Sequence, residues 1–187
     1  FSSAKQIELI KLPDTITIID ERSFQDCANL KEIELPNSLK LIEDFAFFNC
    51  QSLASIKIPN NVEKIGSNAF RACSSLHTIL LPQNIRSIET YTFYGCSTLK
   101  SIEIPQYVDK IDFYAFSNCT SLRDITLPQR LTLIGARAFE NCTSLIEILI
   151  PNNVRTINKY AFANCTSLER VILPSTLTKI GEDIFKD

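Results

Sequence analysis

The sequence predicts an α/β solenoid, a chain wound into stacked coils with parallel strands on one side and short helical turns on the other. A 23-residue period runs through all 187 residues without an insertion, and three residue types fall almost wholly into single columns of it. All eight prolines are in register, from Pro13 and Pro36 to Pro174, as are all seven cysteines, from Cys27 to Cys165. Nine of the twelve phenylalanines form one column, from Phe1 and Phe24 to Phe185, leaving Phe45, Phe48 and Phe113 outside it. Such a period marks a stacked-repeat architecture, because no single copy can bury its apolar face alone.

The copy from Leu53 to Leu76 shows each element in turn. Ile56 and Ile58 alternate at period two after Leu53, which predicts a short strand, and Pro59 ends it as a corner because proline cannot donate to a ladder. Val62 and Ile65 predict a second short extended piece, which a glycine or a polar residue then turns. Ala69, Phe70 and Cys73 follow at i, i+1, i+4, with Ser67 or Asn68 as a cap, and predict about two turns of helix. Stacked copies pair their strands in parallel about 4.8 Å apart. Residues 1–187 thus read as one solenoid of about eight repeats. The chain begins at Phe1, has no Met, and starts and stops within a repeat, so the expectation is a fragment of a longer protein. Its core would be exposed at Phe1 and Phe185, open to end-to-end self-association.

Composition removes whole classes of partner. Nineteen basic against 21 acidic residues leave a net charge of -2, without the basic footprint that nucleic acid needs. No apolar run approaches the roughly 18 residues that span a bilayer, so no membrane insertion is expected of these residues.

The run Leu-x-x-Ile-x-Ile-Pro-x-x-Val-x-x-Ile-Gly-x-x-Ala-Phe-x-x-Cys-x-x-Leu at Leu53 to Leu76 resembles the BspA-like class of leucine-rich repeats. The resemblance covers the entire chain. It implies a curved, right-handed superhelix with a parallel β-sheet. It also implies a family common among surface and secreted proteins of mucosal bacteria and parasitic protists, with members linked to adhesion and to binding host matrix proteins. Departures are modest: the turn glycine stands only at Gly66, Gly135 and Gly181, and Ser23, Thr92 and Ile184 replace the alanine.

Candidate chemistry is thin. The cysteines lie 23 residues apart with no Cys-x-x-Cys, and stacking would aim their Cβ vectors the same way, so a buried ladder of reduced thiols is expected. His77, the sole histidine, falls four residues after Cys73 but in a variable surface column, with no fixed third group to orient it. The sequence therefore predicts no enzyme, no metal and no cofactor. Asn118, Asn141 and Asn164 each open an Asn-Cys-Thr sequon, whose use needs a eukaryotic secretory route. The alternative is that asparagine before the core cysteine serves a tight turn, and that reading is favoured.

Two exposed faces remain. On the first strand, the residues one, two and four after the leading leucine should face outward. There Leu80, Ile146, Leu149 and Ile172 are apolar, with Ile146, Leu149 and Ile172 expected to cluster. Such a cluster marks either an interaction site or local variation on a solvated sheet. The second extended piece carries a basic stripe over two adjacent columns: Lys40, Lys64, Arg86, Lys110, Arg155 and Lys179. It suits an acidic partner or polyanionic glycan, or else is a solvated face balanced by nearby acids. The function expected is a non-enzymatic, adhesion-type protein-binding module at the cell surface or secreted. The rival is an intracellular scaffold, towards which seven unpaired thiols lean.

Overall fold

Sixteen short strands alternate along the chain in the computed structural model, which describes residues 1–186. The odd-numbered strands form the first row: β1 (Leu9–Lys11), β3 (Glu32–Glu34), β5 (Ser55–Lys57), β7 (Thr78–Leu80), β9 (Ser101–Glu103), β11 (Asp124–Thr126), β13 (Glu147–Leu149) and β15 (Arg170–Ile172). The even-numbered strands form the second: β2 (Ile18–Ile19), β4 (Leu41–Ile42), β6 (Lys64–Ile65), β8 (Ser87–Ile88), β10 (Lys110–Ile111), β12 (Leu133–Ile134), β14 (Thr156–Ile157) and β16 (Lys179–Ile180). Every pairing is parallel with a shift of one period, as in Ile56 opposite Ile79 and Ile134 opposite Ile157. In that register each side chain meets its own counterpart, which is why the columns are so uniform.

The corners follow the proline column. In the copy described above, Pro59 comes two residues after β5, and its carbonyl accepts the Val62 N–H at 3.0 Å, closing a turn that leads into β6. The nine column phenylalanines stack ring on ring, with centroids 5.2 to 5.8 Å apart, and those from Phe24 to Phe162 are buried inside. Beside them lies a ladder of seven buried thiols. Each thiol donates to the carbonyl of a column phenylalanine in the preceding coil, for example Cys73 Sγ to Phe47 O at 3.1 Å and Cys119 Sγ to Phe93 O at 3.1 Å. The cysteine column therefore does more than fill space: it satisfies a buried carbonyl that would otherwise hold one bond.

The helical turns expected at Ala69, Phe70 and Cys73 do not form. No helix occurs among the described residues, so the fold is an all-β solenoid and not α/β. The segment is instead a run of tight turns. Asn68 and Ala72 both hold positive φ, at 58° and 60°, which no helix accommodates. Hydrogen bonds alternate between turn and neighbour: Ala69 N–H and Arg71 N–H reach three residues back, whereas Phe70 N–H and Ala72 N–H reach Thr92 O and Tyr94 O in the next coil, at 2.9 and 2.7 Å. Hydrogen bonding explains the outcome: a helix would use these N–H groups within its own coil, whereas here every second one crosses to the neighbouring coil and holds the turn side at the close spacing of the strands.

Positive φ recurs in two columns. One reads Asp26, Asn49, Ala72, Gly95, Asn118, Asn141 and Asn164, chiefly residues that tolerate the left-handed region. The three sequon asparagines are therefore turn residues, and Asn141 and Asn164 each donate from Nδ2 to the preceding asparagine at 2.9 Å. Gly66 is needed for a different reason. A Cβ there would lie 2.5 Å from Asp44 N, whose side chain crosses to accept the Ser67 N–H at 2.8 Å. Gly66→Ala is expected to lower stability by about 1–3 kcal/mol through this overpacking, read as a fall in the urea midpoint.

Candidate functional site

The first row of strands presents one side to the core and one to solvent. Ile56, Ile79, Ile102 and Ile148 point inward and are buried, while the residues on either side of each are exposed. Along the outer face, charged side chains pair across strands: Lys11 with Glu34 at 2.9 Å, Lys31 with Glu8 at 2.9 Å, and Arg170 with Glu147 at 3.3 Å. Such exposed pairs add little to stability, because water and salt screen them. They describe a surface built for solvent.

Leu149 and Ile172 break that pattern. They sit opposite each other in the β13–β15 register, next to the Glu147–Arg170 pair, and are 57% and 43% exposed. Burying two such side chains against a partner would contribute roughly 1.5–3 kcal/mol each. On one side of Leu149 the row opens. The β11 and β13 strands belong to separate ladders, and between them runs a groove of about 540 Å³ lined by Thr126, Leu127, Gln129, Leu149 and Asn152.

The structure brings together part of the expected cluster. Ile146 is only half-exposed, because the first outward position lies where the chain enters the strand and its carbonyl accepts the Glu169 N–H at 2.9 Å. It lines a different, broader and more polar groove with Lys100, Arg123 and Glu169. Leu80 is 63% exposed but stands three coils from Leu149, with Glu103 and Thr126 in the intervening positions.

The basic stripe is similarly dispersed. Lys40, Lys64, Arg86, Arg155 and Lys179 are exposed, and Lys110 is half-buried. Glu63 and Asp109 interrupt the column shared by Lys40, Arg86 and Arg155, and Lys110 pairs with Asp112 at 2.9 Å. His77 is exposed and donates from Nδ1 to Ser75 O at 3.1 Å. Burial pushes the thiols of Cys73, Cys96, Cys119 and Cys142 far up, so none of these is poised as a nucleophile. Among the described residues no group of three or more His, Cys, Asp or Glu side chains is placed to hold a metal ion, and no helix is long and apolar enough to cross a membrane.

One surface feature escapes the column reading. Phe45, Phe48, Arg71, Tyr91, Tyr94, Tyr114, Arg137 and Tyr160 gather on the turn side of the rod. The signal was present in Phe45, Phe48 and Phe113, the three phenylalanines outside the core column.

Comparison with known proteins gives a consistent picture. The family model described as "BspA type Leucine rich repeat region" matches residues 1–105 and 86–187, in six copies. A leucine-rich repeat protein from Bacteroides ovatus is similar over 97% of this chain and 70% of its own, at 26% identity and a TM-score of 0.71. A leucine rich cell surface protein from Faecalibacterium prausnitzii is 31% identical over 94% of this chain, with a TM-score of 0.60. A leucine-rich repeat protein from Eubacterium ventriosum is 27% identical over 94%, with a TM-score of 0.82. This chain spans 56% and 46% of those two proteins. Among curated proteins, none matches.

Proposed function

Because the chain belongs to the BspA-type leucine-rich repeat family, we propose that it is a non-enzymatic protein-binding module of an adhesion-type protein, at the cell surface or secreted. Its ligand is a host or matrix protein held on the outer face of the first strand row. The observation that carries this reading is the in-register pair Leu149 and Ile172, exposed on an otherwise polar sheet. The groove beside Leu149 offers a seat for an apolar side chain of the partner. A similar protein from Faecalibacterium prausnitzii is described as a cell surface protein, which supports the location proposed. The polyanionic-glycan role of the basic stripe has less support, since acids interrupt it.

The test is solid-phase binding to a panel of purified extracellular-matrix proteins. Leu149→Asp with Ile172→Asp is expected to lower affinity for the bound member at least tenfold without unfolding the rod, since both side chains are exposed and the two facing carboxylates cost only about 1 kcal/mol or less. Undiminished binding would dismiss the pair. A cytoplasmic scaffold using the same face is the second reading, favoured by a ladder of buried thiols, which is ordinary in a reducing compartment. Fractionation of the source cells separates the two.

A further inference from the structure

The aromatic band on the turn side is built at a conformational cost. Phe45, Tyr91, Tyr114 and Tyr160 occupy the other positive-φ column, four residues before the one that holds Asp26 and Asn49, at 57°, 59°, 55° and 58°. Bulky side chains are uncommon in that region, and residues held there concentrate where a protein binds or reacts. The rod does not require rings in this column, because Arg22, Asn68, Arg137 and Asp183 occupy it in other coils with the same backbone. All aromatics outside the core column, Tyr107 excepted, lie on these turns: Phe45, Phe48, Phe113, Tyr91, Tyr94, Tyr114 and Tyr160.

At the centre is Arg71. Its guanidinium carbon lies 5.7, 5.0 and 5.0 Å from the rings of Phe48, Tyr91 and Tyr94. Elsewhere in the band cations are matched by acids: Arg22 pairs with Glu21, Arg137 with Glu140, and Lys186 with Asp183. Arg71 pairs with no carboxylate among the described residues, and donates to Asn68 Oδ1 at 3.2 Å. The Tyr91 and Tyr114 rings stack at 4.7 Å and 7°, with Tyr94 edge-on to both at 5.4 and 6.5 Å. The negative ring faces are thus taken up by one another and by arginine, leaving positive edges, phenol groups and one unmatched guanidinium for solvent.

We infer that this band is a second recognition surface, independent of the sheet face, and that it takes a protein segment bearing a carboxylate among apolar side chains, the carboxylate seated on Arg71. Tyrosine and arginine at a partly desolvated centre are the composition of binding hot spots. Charge complementarity selects an acidic partner. Two observations favour a polypeptide over an acidic glycan. The ring faces on which a sugar would stack are already occupied. Phe113, beside Tyr114 in the chain, is 47% exposed and offers apolar area with nothing to pair with hydroxyl groups.

The test selects random 12-residue peptides displayed on phage against the wild-type chain, then measures the enriched sequences as synthetic peptides by calorimetry. The enriched peptides should carry Asp or Glu flanked by apolar residues, and Arg71→Ala or Tyr94→Ala should weaken them at least tenfold. Tyr91→Asn should also abolish binding while leaving the melting temperature nearly unchanged, because asparagine accepts positive φ. Leu149→Asp should have no effect, which keeps this result separate from that of the sheet face. Neutral or basic enriched peptides, affinity undiminished in Arg71→Ala, or a marked loss of melting temperature in Tyr91→Asn would each overturn the proposal. So would binding of sulfated or uronic-acid glycans, and not peptides, that depends on Arg71.

Discussion

Raising the pH above about 9 under reducing conditions is expected to unfold the rod cooperatively. Burial raises the thiols of Cys50, Cys73, Cys96, Cys119 and Cys142 far above their ordinary value of 9.0. Above that value the unfolded chain releases five protons that the folded chain retains. The stability linked to these thiols is therefore fully present below about pH 9 and is lost as the pH rises beyond it. Each thiol contributes a slope of about 1.4 kcal/mol per pH unit, so five together give about 7 kcal/mol per unit. Since domains are typically stable by about 5–15 kcal/mol, unfolding should be complete one to two units above pH 9. Urea midpoints followed by circular dichroism from pH 7 to 11 check this, and Cys96→Val should reduce the slope by about one fifth. A midpoint equal at pH 8 and pH 10 would show that the thiols are not buried as a ladder.

Phe93→Ala is expected to cost about 3–5 kcal/mol, among the largest effects of any single truncation. Phe93 is fully buried between Phe70 and Phe116, its ring centroid 5.7 and 5.3 Å from theirs. Its backbone also links coils, donating to Ala115 O at 2.8 Å and accepting the Cys119 thiol at 3.1 Å. A cavity at this point weakens both interfaces of a central coil, and a stacked-repeat protein depends on those nearest-neighbour terms. Phe1→Ala, at a ring stacked on one side only and 68% exposed in this chain, should cost well under about 1 kcal/mol by the same reasoning. Urea denaturation of the two variants compares them directly. Equal losses would contradict the one-dimensional view.

The strands, the proline corners and the thiol ladder were legible because their signals are local and repeated. Ile56 and Ile58 around an exposed Lys57 can only face inward together, and Pro59 can only end the ladder. The turn side was misread because Ala69, Phe70 and Cys73 keep a spacing that both a helix and a run of tight turns satisfy. What decides between them is whether the N–H groups bond within their own coil or across to the next, a property of the assembled rod. One local signal did exist: Asp26, Asn49, Gly95, Asn118, Asn141 and Asn164 share a column, and a column of such residues marks positive φ. On the candidate site, period two placed Leu149 and Ile172 correctly on the outer face. Ile146 was harder, since its position lies where the strand has not fully begun. The band around Arg71 was hidden because its members come from two columns that read as variable, and only the structure shows them in contact.

The central claim is that the columns of the period are scaffold and that recognition lies in residues that break it, foremost Leu149 and Ile172. Hydroxyl-radical footprinting of the chain with and without the member of the matrix-protein panel proposed to bind it tests this most directly, because it reads side-chain exposure residue by residue. Protection of Leu149 and Ile172, with Leu80 and the rings around Arg71 unchanged, is the predicted result. Oxidation of Leu149 and Ile172 in the complex at the rate of the free chain would contradict it.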